Sequence, residues 1–195
     1  MLKDKLGNTL SRSEGEAIMK SRSSVVISIC AALLALASML SNSNSGRILN
    51  DTLNANDTWA FYQAKSIKQG LAENSIDILD ETLQIIKEPD IRDDLQKKIA
   101  DNRKLIARYE SDTTTNEGKK ELTSKARSYE ADREIAKNKS TWFGAASAAL
   151  QIAIVLASSS ILAVSMPMLC AGAAIGTLGT LFLVNAVFMF VQLPL

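Results

Sequence analysis

The densest group of side chains with chemical potential is Asn56 to Gln69, NDTWAFYQAKSIKQ. It places Trp59, Phe61 and Tyr62 within four residues of a chain that has ten aromatics in all. At helical spacing Trp59 and Tyr62 share a face, with Lys65 and Ser66 one turn further on. Such a group packs as an aromatic cluster, or it contacts lipid headgroups, a partner or a ligand, with Tyr62, Gln63 and Lys65 as polar handles. A second group is acidic: Asp77, Asp80, Glu81, Asp90, Asp93 and Asp94. Paired carboxylates perform acid–base chemistry when a buried cleft separates their pKa values. Here they alternate with Lys and Arg, the pattern of a solvated face with local ion pairs. Asp90, Asp93 and Asp94 lack the regular spacing of a Ca²⁺ loop.

Other catalytic kits are missing from the sequence. The chain has no His, so its many serines lack the usual general base. Its two cysteines, Cys30 and Cys170, lie inside apolar runs and read as small hydrophobes. No zinc or haem ligand set, P-loop or dinucleotide-binding glycine motif is present. No cofactor, no metal and no enzymatic activity are expected.

The elements that carry these residues follow from charge. Ser140 to Leu195, 56 residues, contains no Asp, Glu, Lys, Arg or His. That length suffices for two membrane crossings with a tight turn between them. Residues 1–23 carry five basic and three acidic side chains, and residues 42–141 carry 17 basic and 18 acidic ones. No block of one sign is long, so no nucleic-acid footprint is present.

Three apolar runs emerge. Residues 24–41 form the first transmembrane helix, preceded by Lys20 and Arg22 and followed by the small polar stretch Ser41 to Gly46. Basic residues before an apolar core also describe a signal peptide, but the tail of residues 1–23 is long for its basic region. Residues 142–165 and 168–191 form the second and third helices, separated by a break at Pro167. Trp142 and Phe143 stand where an interfacial aromatic belt would sit. Arg12, Lys20 and Arg22 favour a cytoplasmic N-terminus, whereas Arg127, Arg133, Lys137 and Lys139 crowd the outer end of the second run. The first helix usually dominates, so the N-terminus is placed inside.

Residues 42–141 read as an extramembrane antiparallel helical hairpin of coiled-coil character, which makes the fold class all-α and integral to the membrane. Leu49, Leu53, Ala60, Ala64, Ile67 and Leu71 fall on steps of three, four or seven, and Ile76, Leu79, Leu83 and Ile86 continue in a shifted register. This is the stripe of a helix packed on a neighbour. Pro89 ends it, and Asp90 is the candidate N-cap of the return. Ile91, Leu95, Ile99, Ile106 and Tyr109, then Leu122, Ala126, Tyr129, Ala136 and Phe143, make the returning stripe. Ser111 to Gly118 (SDTTTNEG) interrupts it as a loop or as a weak turn of a long helix. Two thin helices bury little, so further helices are expected from other copies of the chain.

Within the spans, Gly172, Gly176 and Gly179 line one side of the third helix, where small residues allow close approach. Ala145, Ala149 or Ala153 are the candidate partners. Gln151 and Asn185 are the only amides of the two spans and are candidates for interhelical hydrogen bonds. The spans hold no ionisable group of the kind that transporters use.

NDTWAFYQAKSIKQ, lying just after a single apolar run, resembles a signature of the bacterial membrane family catalogued as domain of unknown function 4337. FGAASAALQIAIVLASSSILAVS, from Phe143 to Ser165, and the glycine-rich AIGTLGTLFLVN resemble further blocks of that family. The resemblance covers most of Leu49 to Phe190. It implies three spans and an extramembrane helical segment, and it carries no established activity. Relatives often hold basic residues in the second-to-third turn, which places that turn in the cytoplasm; here the turn is SMPMLC, without charge. SDTTTNEG is also more broken than the charged helix expected at that place. The expectation is a non-enzymatic, homo-oligomeric scaffold or assembly factor of the bacterial inner membrane, in contact with lipid, with its hairpin in the periplasm. The alternatives are a pore or transport component formed by the oligomer, and an accessory subunit of a larger membrane complex.

Overall fold

The computed structural model describes the backbone of residues 2–191 and the side chains of residues 14–191. The side chain of Arg12, used in the orientation argument, lies outside the described residues. Among the described residues the chain is all-α, with four helices: α1 (Leu2–Ile85), α2 (Pro89–Glu110), α3 (Lys119–Ala163) and α4 (Met166–Phe188). Three of them, α1, α3 and α4, are long and apolar enough to cross a membrane.

The first helix corrects an expectation. The first span and the helix starting near Leu49 are one uninterrupted element, with no exit at Ser41 to Gly46. The reason is local. That stretch has no proline, and its polar side chains satisfy themselves without breaking the helix. Ser45 Oγ donates to the Ser41 carbonyl at 3.0 Å, and Asn44 Nδ2 donates to the Ala136 carbonyl at 2.7 Å. Weak helix propensity yields to such contacts.

The chain divides into two units, Met1–Ile48 with Ile135–Leu195, and Leu49–Glu134. In the first unit each helix buries a seam, at steps of four and seven on α1 and mostly of three and four on α3 and α4. The seams are Met19, Ser23, Cys30 and Ala37 on α1, then Ala136, Phe143, Ala146, Leu150, Ala153, Ala157 and Ser160 on α3. On α4 they are Leu169, Gly172, Gly176, Gly179, Leu183 and Ala186. This spacing is that of left-handed helix packing, and the many Ala and Gly residues let the backbones approach closely. Ser23 Oγ and Ser160 Oγ share a buried hydrogen bond of 2.9 Å between α1 and α3, a polar contact that no sequence signal had marked.

The junction of α3 and α4 is tight. Val164 has a left-handed backbone (φ 49°) that ends α3, and Pro167 lies in the first turn of α4, where its missing N–H is harmless. Phe143 is buried in the core of this unit, and Trp142 packs on Phe182 with ring centroids 5.6 Å apart. The expected belt is therefore corrected for Phe143, which lies on the inward seam of α3.

The second unit holds three pieces, the outer part of α1, α2, and the first part of α3, and Ser111 to Gly118, for which the sequence allows a loop or a weak turn, is a loop. Pro89 is the first residue of α2 and Glu88 its N-cap, extended as the residue before proline must be. This corrects the assignment of the cap to Asp90, which falls in the first turn. Arg92 donates from Nη1 to the carbonyls of Leu83 and Ile86. Those carbonyls, at the end of α1, have no helical partner, and a cation there also suits the helix dipole. Leu95 and Ile99 of α2 are buried, as are Leu122 and Ala126 of α3.

The first part of the apolar stripe assigned to the inside of α1, Leu49 to Leu71, faces outward, whereas its continuation through Ile76, Leu79 and Leu83 is partly covered. Leu53, Ile67 and Leu71 are 52%, 65% and 61% exposed. The covered face runs through Asp51, Ala55, Thr58, Tyr62, Lys65, Gln69, Ala72, Ile76, Leu79 and Leu83. In the first half of this segment α1 thus covers a mixed polar face and exposes its apolar one.

Candidate functional site

The mixed face becomes intelligible from the side chains opposite it. Trp59 Nε1 donates to Glu130 Oε1 at 2.9 Å, and its ring meets Tyr62 edge-on with centroids 5.6 Å apart. Lys65 Nζ lies 5.1 Å from the centre of the Phe61 ring and 5.7 Å from that of Tyr109, and pairs with Glu117 at 3.4 Å. Lys119 Nζ lies 5.7 Å from the Tyr62 ring and reaches Gln69 Oε1 at 3.0 Å and Glu110 Oε2 at 3.1 Å. Two cations are thus held between aromatic rings and carboxylates. Their side chains are only 15% and 17% exposed, so these contacts act in a partly desolvated place, where cation–π attraction is stronger. Of the five residues singled out in the sequence, Trp59, Phe61, Tyr62 and Lys65 take part in these contacts. Phe61 stays partly open, and Gln63 is exposed.

Beside this group lies an open cleft of about 480 Å³. Asn54, Asp57, Thr58 and Phe61 of α1 form one side, Thr115 to Glu117 a second, and Leu122, Lys125 and Tyr129 of α3 a third. Two aromatic rings, two carboxylates and one amine line it, a mixture suited to a polar group carrying a cationic part.

The cleft borders a loop that the sequence marked only as an interruption. Ser111 to Gly118 leaves the helical path and is closed by Asp112, whose carboxylate is buried. Asp112 Oδ1 accepts the backbone N–H groups of Thr114 and Thr115 at 3.1 and 3.2 Å. Its Oδ2 accepts Arg108 Nε at 2.7 Å. Glu121 completes the closure, accepting Ser111 Oγ at 2.6 Å and the Asp112 N–H at 3.2 Å. Asn116 takes the left-handed conformation (φ 55°), for which Asn is well suited. The residues DTT could have signalled an Asx turn, but the ties to Arg108 and Glu121 cross helices and have no local signature.

Electrostatics follow the geometry. The hydrogen bond from Arg108 holds the Asp112 carboxyl well below the usual range, and the bond from Ser111 lowers Glu121. Both groups have folded pKa values below their unfolded ones, so they stabilise the loop at neutral pH. That contribution is present above the unfolded carboxylate range, near pH 4, and disappears as pH falls through the depressed folded values. Lowering pH from 5 to 2 is therefore expected to reduce the protection of the Thr114 and Thr115 amides, measured against the intrinsic exchange rate at each pH. The Asp112→Asn variant is expected to show low protection already at pH 5 and a flatter dependence of protection on pH. Hydrogen exchange read by mass spectrometry checks both.

Asp77, Asp80, Glu81, Asp90, Asp93 and Asp94 are all exposed. No group of three His, Cys, Asp or Glu side chains that could hold a metal ion occurs among the described residues.

In the first unit, an added Cβ at Gly172 would lie 3.1 Å from the Ala153 carbonyl and 3.2 Å from the Ala157 N–H nitrogen. At Gly179 it would lie 3.0 Å from Leu150 Cγ and 3.2 Å from Ala149 Cβ, and at Gly176 2.9 Å from Cys30 Sγ. Ala145, a candidate partner in the sequence, is exposed instead. The two amides also differ from expectation. Gln151 is exposed on α3. Asn185 binds locally at the end of α4, donating from Nδ2 to the Val191 carbonyl at 3.0 Å and accepting the Val191 N–H at 2.9 Å. An amide one turn before a helix end caps its own chain more readily than it reaches across to another helix.

Fold and site together define an all-α chain with three helices capable of crossing a membrane and a charged helical unit tied by cation–aromatic contacts. Residues 19–189 match the family model Domain of unknown function (DUF4337), and the chain belongs to that family. No curated protein and no solved structure matches it.

Proposed function

We propose that the protein is a homo-oligomeric, non-enzymatic scaffold or assembly factor of the bacterial inner membrane. Its three spans anchor it in lipid, and Leu49–Glu134 forms an extramembrane helical hairpin on the periplasmic side, with the N-terminus in the cytoplasm. The observation that carries this reading is the exposure of Leu53, Ile67, Leu71, Ile78 and Ile85 in an otherwise charged unit. A water-facing segment leaves that many large apolar side chains uncovered when another chain covers them. The exposure of Gln151 within an apolar span favours a second reading, a pore or transport component built by the oligomer, because an amide facing lipid is costly. Phe61 on the wall of the open cleft and the exposed Gln63 support a third, an accessory subunit that docks on a larger membrane complex.

Gentle native purification followed by mass photometry is expected to show a multiple of the 21.1 kDa chain. A monomer rejects self-assembly, and a stoichiometric foreign partner favours the third reading. A cysteine placed at the exposed Thr114 is expected to react with a membrane-impermeant maleimide once the outer membrane is permeabilised. Labelling only by a permeant reagent reverses the orientation.

A further inference from the structure

The exposed face of α1 in the second unit has a definite period. Leu53, Ala60, Ala64, Ile67, Leu71 and Ile78 advance by steps of seven, four, three, four and seven, and Ile85 adds a further seven. All are exposed. These are the two seam positions of a heptad held from Leu53 to Ile85, about 50 Å of helix. The covered face of α1 lies opposite, with the same alternation of three and four. The helix therefore carries two seams, one used within the chain and one vacant.

We propose that this vacant seam pairs, parallel and in register, with the same seam on α1 of a second copy. The inference rests on the self-assembly reading and names its interface. A partner helix must match a 3.5-residue period along the whole face, and a second copy does so by construction. α1 also contains the first span-capable run, so every copy inserts it in the same sense and at the same depth. Like residues then meet at one height, which makes the pairing parallel. The flanking charges permit it. Among Asn54, Phe61, Lys68, Ser75 and Thr82 on one side, and Asn56, Gln63, Gly70, Asp77 and Gln84 on the other, only Lys68 and Asp77 are charged. In a parallel pair each residue of the second row meets the first-row residue five places on. Gln63 then faces Lys68 of the other copy and Asp77 faces Thr82, with no like charges opposed.

Asp57, Asn74 and Glu81 occupy the remaining seam positions and would face their own counterparts. Polar seam residues fix register at a cost in stability, and paired carboxylates weaken the coil. The pairing is therefore reversible, and its strength rises when those residues are made apolar.

The test uses the full chain in native membranes, with the exposed Cys170 changed to serine and the buried Cys30 kept as background. Ile67→Cys is expected to form a disulfide-linked dimer on mild oxidation, and Glu73→Cys, on an adjoining face, to stay at background. Asp57→Leu is expected to raise the dimer fraction of the detergent-solubilised chain, and Ile67→Lys to lower it, each shifting the dissociation constant by at least about tenfold. Ile67 is exposed, so unchanged helix content by circular dichroism separates lost pairing from lost folding, and Leu71→Ser repeats the test without a charge. An oligomeric chain in which Ile67→Cys cross-links no better than Glu73→Cys overturns the seam and leaves self-assembly standing. A chain that is monomeric in the membrane overturns both.

Discussion

Replacing Gly118 with alanine is expected to unseat the Ser111–Gly118 loop and to destabilise the second unit by about 1–3 kcal/mol. The new Cβ would fall against Glu121 Oε2, the backbone nitrogen of Asp112 and, at 2.6 Å, Ser111 Cα. A carboxylate can swing aside, but two of the three neighbours are main chain and cannot. Moving Glu121 would also release the hydrogen bonds that it accepts from Ser111 and from the Asp112 N–H. The clash is thus coupled to the polar closure of the loop. Faster hydrogen exchange at Thr114 and Thr115, and a lowered thermal midpoint of the detergent-solubilised chain, would report it. Gly70→Ala is the control, because nothing lies within 4 Å of its Cβ position and the residue is helical. There alanine is expected to be neutral or to stabilise by about 0.5–1 kcal/mol. Equal behaviour of the two variants would remove Gly118 from the loop's design.

Gly172→Leu is expected to detach α4 from α3. Even alanine at this position would press on the carbonyl of Ala153 and the backbone nitrogen of Ala157. Both belong to the buried seam of α3, whose alanines leave no flexible side chain to yield. Leucine adds three more carbons, so the helices must separate, at a cost of more than about 2 kcal/mol. Gly176→Ala makes the informative comparison. Its Cβ would meet Cys30 Sγ, the end of a side chain that can change rotamer, so a smaller loss is expected. Unfolding titrations with a denaturing detergent, read by Trp142 fluorescence, should rank Gly172→Leu well below Gly176→Ala. The reverse ranking would mean that α4 meets α1 more tightly than α3.

Much of this protein was legible in its residues. A tail without charge implied two helices able to cross a membrane, and Pro167 located the break between them. Pro89 marked the end of α1 for the same reason, since its ring fits only the first turn of a helix. The stripe Leu122, Ala126, Ala136 and Phe143 is buried, because on α3 one face is clearly more apolar than the others. The aromatic group was visible as a local concentration. What it binds was not, because Glu117, Glu130, Tyr109 and Lys119 come from distant parts of the chain. The loop at Ser111 to Gly118 was visible as poor helix formers, whereas its closure through Arg108 and Glu121 depends on how two helices end beside each other.

α1 shows where local pattern and tertiary structure part. By itself the sequence determined that the segment from Leu49 to Leu71 is helical with an apolar stripe at steps of three, four and seven, because side-chain hydropathy and the helical period are both local properties. It could not determine which face would be covered. Leu53, Ile67 and Leu71 offer more apolar area, yet the face through Thr58, Tyr62, Lys65 and Gln69 is the one turned inward. The tertiary structure decided this by what it set opposite: carboxylates for Lys65 and Lys119, a carboxylate for the Trp59 N–H, and rings for both amines. Burial of a polar face is favourable only when its partners arrive with it, and those partners are supplied by the folded chain.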